Sequence, residues 1–178
     1  LLKKCTQSKV IKDLITVKKF LILNRKKKYI LITGCSGSIG ISLIEKLNKS
    51  KNINLILISK NIEKVKSLIK NKNNIYIKHN LLDDTKKIQK ILKYINLEAV
   101  VHMAFSKINE NKTFSEFMNT NTKIIFNLLK IISETKPKHI IYTNSSALYK
   151  QGKNIKENSS LGNSPYGLSK YYVGKILE

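Results

Sequence analysis

The sequence predicts an α/β fold, a doubly wound parallel sheet, on three observations. Short apolar runs alternate with helical segments, the runs are apolar throughout, and a glycine-rich turn joins the first run to the first helix. Strands alternating with helices build βαβ units, so the sheet is parallel and covered on both faces. Runs such as "LILIS" (55–59) and "HIIYT" (139–143) lack the polar alternation of a half-exposed strand, which predicts burial on both sides. The 178 residues suffice for one domain with a sizeable core, and 42% hydrophobic content argues against disorder.

Taken in order, residues 1–28 carry Val10, Ile11, Leu14, Ile15 and Val17 at helical spacing and close on the basic run "NRKKK". This predicts an N-terminal extension, or the end of a preceding segment, linked to a domain over 29–178. The domain begins with a strand at 29–33, and Gly34, Gly37 and Gly40 then open a helix from about Ser38. A strand at 54–59 precedes a helix near 63–70, a strand at 75–78 precedes a helix near 84–95, and a strand follows at 99–103. A long helix near 113–133 carries Phe114, Phe117, Met118, Asn121, Ile124, Ile125, Leu128, Leu129 and Ile132 at the spacing of a core-facing stripe. A strand at 139–144, an irregular loop and a helix from about Pro165 complete the pattern. The chain opens on Leu1 and stops at Glu178 inside a helical stretch, so it reads as part of a longer protein whose sheet is incomplete at the C-terminus.

A formal charge of +23 raises nucleic acid as a partner, because a basic surface attracts polyanions. The excess is lysine spread along the whole chain beside abundant Asn and Ile, with no recognition motif, and reads as compositional bias on solvated helix faces. Cys5 and Cys35 form no disulfide framework, which suits a reducing compartment. No apolar stretch reaches the roughly 18 residues of a membrane span, and no signal-peptide pattern stands out. The expectation is a cytoplasmic protein with neither nucleic-acid nor membrane partner. His79, His102 and His139 fall at or near strands without metal-ligand spacing, so no metal site is expected.

The glycine turn carries the first functional signal. Glycines between a strand and a helix permit a tight turn, close approach of backbone to phosphate and close helix packing, while the helix N-terminus offers free N–H groups to a pyrophosphate. The site reads as a dinucleotide site on a Rossmann-like sheet, although G-x-x-G-x-x-G departs from G-x-G-x-x-G.

Further along, "VVHMA" (100–104), "NTKIIFNLL" (121–129), "SSALY" (145–149) and "SPYGLSK" (164–170) follow "TGCSGSIG" (33–40) in order. Together they resemble the extended short-chain dehydrogenase/reductase family, the nucleotide-sugar epimerases and dehydratases, from Tyr29 to Glu178. The resemblance implies cofactor contacts at Gly34, Gly37, Ser38, Ile39, Gly40, Ser59, Lys60, Asn80, Leu81, Ala104 and Lys170, a nucleotide-sugar substrate, and a homodimer when intact. The sequence departs from the family pattern in four places, six residues in all. Ser59 and Lys60 replace the acidic residue that serves an NAD ribose, which favours NADP over NAD. Asn80 replaces an adenine-contacting Asp, Ile124 and Ile125 replace Gly-Thr, and Lys150 replaces a Gly.

Tyr166 and Lys170 stand four apart near a helix start, hence on one face. A phenol with an ordinary pKa near 10 is a poor base at pH 7, and a neighbouring ammonium favours its anion. The resemblance assigns Tyr166 the proton of a substrate hydroxyl and Lys170 the nicotinamide ribose. It assigns Ser145 a hydrogen bond to the reacting oxygen, with the adjacent Ser146 as rival. Ser146 and Ala147 also stand where family dehydratases that remove water at C6 carry two carboxylates, so an NAD(P)-dependent epimerase, or a simple reductase or dehydrogenase of a sugar nucleotide working by hydride transfer, ranks above a 4,6-dehydratase. The alternative is a dinucleotide-binding module without turnover, and the 178-residue chain by itself is expected to bind cofactor with little activity.

Overall fold

The computed structural model describes residues 28–50, 52–106 and 113–178, so the expected extension lies outside the described residues except for Lys28. The elements are β1 (Lys28–Thr33), α1 (Ser38–Leu47), β2 (Asn54–Ser59), α2 (Ile62–Leu68), β3 (Ile75–Lys78), α3 (Lys86–Leu92), β4 (Asn96–His102), α4 (Phe114–Ile132), β5 (His139–Tyr142), a 3₁₀ turn (Ser146–Leu148) and α5 (Pro165–Leu177). All strand pairs are parallel, in the order β3-β2-β1-β4-β5. The chain therefore reverses direction across the sheet between β3 and β4. The crevice beyond the carboxyl ends of β1 and β4 is where such sheets bind ligands.

Two apolar layers sandwich the sheet. Leu31, Ile56, Ile58 and Val100 face α3 and α4 residues such as Ile91, Ile125 and Leu128, whereas Ile32, Leu55 and Leu57 face Ile44, Ile62 and Val65 of α1 and α2. β2 is buried along nearly its whole length, as its continuous apolar run predicts. β5 is not. Ile140 is 39% and Ile141 54% exposed, because no described helix packs over the middle of β5; edge position is not the cause, since β3 at the opposite edge of the sheet is buried. An apolar run reports suitability for burial and does not say what covers it.

β4 begins three residues before its predicted start at Ala99, with Glu98 as the reason the sequence concealed it. Its carboxylate lies 3.4 Å from Lys28 Nζ and 3.0 Å from Lys138 Nζ, so a charge inside a strand is neutralised from both flanking segments. α4 starts with a capping box in which Thr113 and Glu116 each bond the other's backbone N–H. Phe114, expected on the core stripe, is 45% exposed in its first turn, while Asn127 and Ile131 are buried.

Candidate functional site

At the carboxyl end of β1, Thr33 Oγ1 lies 2.6 Å from His102 Nδ1, a buried contact that fastens β1 to β4 where the crevice opens. Burial, with the Lys170 charge adding to it, pushes the His102 pKa down to about 3, so the imidazole is neutral. The next residue, Gly34, has φ +70°, and an added Cβ would lie 2.5 Å from the Ala104 nitrogen. Only glycine lets the turn pass so close to the segment after β4. Gly40 meets the backbone of Cys35 equally closely, bringing α1 down onto the turn.

Gly37 differs from both. Its φ of −75° and ψ of 165° suit any residue, so glycine is not required there for backbone freedom. An added Cβ would meet only Gly34 O, at 3.6 Å, and would otherwise project into open space in front of α1. Gly37 is also the N-cap of α1 and supplies no side-chain cap, which leaves the amides of Ser38, Ile39 and Gly40 without an intrahelical or capping partner. Main-chain donors, a positive helix end and a surface a Cβ would fill match what a pyrophosphate needs.

Past the carboxyl end of β5, Ser145 caps the 3₁₀ turn, its Oγ accepting from the Ala147 N–H at 3.2 Å. α5 is clamped onto that turn. Ser164 Oγ accepts from the Gly167 N–H and donates to Ala147 O, both at 3.0 Å, and a Cβ on Gly167 would overlap the Ala147 carbonyl. The turn bearing Ser145 and Ser146 thus lies against the helix bearing Tyr166 and Lys170. Lys170 is only 4% exposed. Its Nζ donates to Thr143 O at 2.8 Å and sits 4.0 Å from the Phe105 ring centroid and 4.7 Å from that of Tyr142. Burial lowers its pKa to about 8. Tyr166 meets the same Phe105 edge-on, with centroids 5.6 Å apart. Burial, then the Tyr166 charge, push the Tyr142 phenol above its ordinary range.

A family model described as the NAD dependent epimerase/dehydratase family matches residues 30–178. The chain belongs to that family. An uncharacterized UDP-glucose epimerase, YtcB, of Bacillus subtilis is 31% identical over 162 residues, covering 83% of this chain and 50% of that protein. The UDP-glucuronic acid 4-epimerase of Bacillus cereus in complex with NAD has a similar fold, with TM-score 0.70 and 22% identity over 84% of this chain and 51% of that one. So does the UDP-Glc/GlcNAc 4-epimerase of Campylobacter jejuni, at TM-score 0.71 and 22% identity over 84% and 48%. The chain thus spans about half the length of these proteins.

Within this family frame, other expected contact residues have partners of their own. Ser59 is 6% exposed, and its hydroxyl donates to Ser36 Oγ at 2.9 Å while accepting from the Asn61 N–H at 3.1 Å. It ties β2 to the glycine turn rather than standing free, whereas Lys60 is exposed. Asn80 Oδ1 accepts from the Leu82 N–H, shaping the turn after β3, and Leu81 is buried. Ala104 forms the wall against Gly34. Lys150 keeps an ordinary backbone, since the described non-glycine residues with positive φ are Lys136 and Asn154.

Two asparagines of α4 do work that the apolar stripe hid. Asn127 Nδ2 donates to Leu81 O at 2.6 Å, and Asn121 Oδ1 accepts from the Ser106 N–H at 2.8 Å. One helix thereby anchors the loops after both β3 and β4. The available signal was two amides on the buried face of an otherwise apolar helix, since a buried amide must find partners.

Proposed function

We propose that the intact protein is a nucleotide-sugar epimerase that uses a nicotinamide dinucleotide and a Ser145, Tyr166, Lys170 acid–base site. The observation that carries the reading is the pairing, across one crevice, of an open glycine cradle with a buried lysine beside Tyr166. Gly34, Gly37, Ser38, Ile39 and Gly40 would hold the pyrophosphate, Asn80 and Leu81 the adenine end, and Ala104 and Lys170 the nicotinamide end. When bound, the dinucleotide supplies a hydride acceptor and donor.

The chain's own residues handle the proton. Tyr166 takes it from a sugar hydroxyl and returns it, and Lys170 favours the phenolate by its charge. Ser145 hydrogen-bonds the same oxygen, with Ser146, the more exposed hydroxyl, as the alternative donor. The absence of carboxylates at Ser146 and Ala147 disfavours loss of water. The family resemblance further suggests a cytoplasmic homodimer, and no described helix is long and apolar enough to cross a membrane.

The cofactor choice rests on Lys60. Its ammonium favours a 2′-phosphate and hence NADP, but Ser59 adds less than expected because its hydroxyl is engaged, and the Bacillus cereus neighbour is a complex with NAD. Titrating the chain with both dinucleotides measures the preference. The activity is tested by incubating the intact protein with UDP-glucose and UDP-glucuronic acid and following the anomeric protons by NMR. Appearance of a second sugar epimer supports the reading. Cofactor binding without any sugar conversion, across a panel of nucleotide sugars, favours the binding module instead.

A further inference from the structure

We propose that Phe105 is a positioning residue, the face of its ring holding the Lys170 ammonium while its contact with the Tyr166 ring sets the two side chains relative to each other. An ammonium has three N–H groups. One of those on Lys170 goes to Thr143 O at 2.8 Å, and the rings of Phe105 and Tyr142, at 4.0 and 4.7 Å, flank the charge. Both distances lie inside the roughly 6 Å over which a ring quadrupole attracts a cation. Lys170 forms no ion pair with a described residue, so the rings and one carbonyl are what compensate the loss of water around it.

Phe105 is itself braced. Its ring packs edge-on against Phe117, which is fully buried, at 5.8 Å, and the Ser106 N–H beside it is bonded to Asn121. A ring fixed from behind by α4 and loaded in front by two side chains of α5 is placed to set their geometry. The titratable groups facing Lys170 are Tyr142 on β5, Tyr166 on α5 and the neutral His102 on β4. The downward pKa shift of Lys170 through burial accords with this enclosure.

The meaning for turnover rests on the role proposed above for Lys170, but the arrangement is testable without cofactor or substrate. The 178-residue chain is labelled with 15N-lysine, and the Lys170 signal is identified by its loss in Lys170→Arg. Its titration is then followed in native protein and three variants. Phe105→Leu keeps the site dry but removes the ring face, so the Lys170 pKa falls below its native value by about half a unit or more. Phe105→Ala admits water and raises it toward the ordinary value near 10.4. Phe105→Tyr retains the ring and leaves it unchanged. If Phe105→Ala fails to fold, Phe105→Leu decides alone: an unchanged Lys170 titration in that folded variant overturns the proposal. An epimerase assay that fails while these shifts appear would remove the proposed activity and leave the positioning role intact.

Discussion

The glycine turn and the Lys170 enclosure both lie past the carboxyl ends of the strands and are built in different ways. At the turn the main chain makes the site: amides without a cap, and a surface defined by a Cβ that Gly37 lacks. Around Lys170, side chains make most of it, joined by one main-chain carbonyl, Thr143 O. Phe105 follows β4, Tyr142 lies on β5, and Tyr166 and Lys170 sit on α5, so this half exists only once distant segments have packed. If the proposed function holds, binding and proton transfer should therefore be separable by substitution. The turn should fail through sterics and the enclosure through charge and geometry.

The sharpest separation is expected from Tyr166→Phe in the intact protein. Turnover should fall by a factor on the order of 10² to 10⁴, the usual worth of a positioned acid–base group, while dinucleotide affinity stays nearly unchanged. Steady-state kinetics with a parallel binding titration test this. A matched loss of both would merge the two halves into one.

Gly34→Ala attacks the turn through the fold. At φ +70°, with Ala104 backbone 2.5 Å from the new Cβ, the variant must shift the segment after β4. A loss of about 2 kcal/mol or more is expected in urea unfolding. A variant as stable as the native chain would show that the turn and β4 are not locked together.

A smaller effect should mark the enclosure. The folded pKa of Lys170, about 8, lies below the ordinary lysine value of about 10.4, so between these pH values the unfolded chain holds more protons than the native one. The group's contribution to stability therefore rises with pH across that window, and its cost is greatest below pH 8. Relative to Lys170→Met, the native chain should gain stability between pH 8 and about 10.4. Parallel stability curves for the two proteins would mean that Lys170 is solvated.

Much of the main-chain half was legible in the sequence, because glycine spacing and apolar runs encode local geometry. The bounds of β2 and β3 follow from the runs 54–59 and 75–78, and Gly34 and Gly40 fall where a tight turn and close packing need them. At Gly37 the backbone is ordinary, so of the reasons a glycine could stand there only the open space before it remains. The side-chain half was harder to read. The Tyr166 and Lys170 spacing shows, but Phe105, Asn121 and Asn127 act through contacts 15 to 65 residues away in sequence, which no local pattern records. The middle of β5 is exposed although its composition suits a core, because no described segment covers it in a chain about half as long as the relatives it matches.

The central claim is that the glycine turn is a dinucleotide cradle, and Gly37→Val tests it most directly. Valine tolerates the observed φ and ψ, so the variant should fold, losing no more than about 1 kcal/mol because valine is a poorer N-cap than glycine, while its side chain fills the space before α1. Calorimetric titration of NAD and NADP into both proteins should give binding by the native chain and at least about a tenfold loss in the variant, a difference of about 1.4 kcal/mol. Equal affinity in a folded Gly37→Val chain, or no binding by the native chain, would contradict the account.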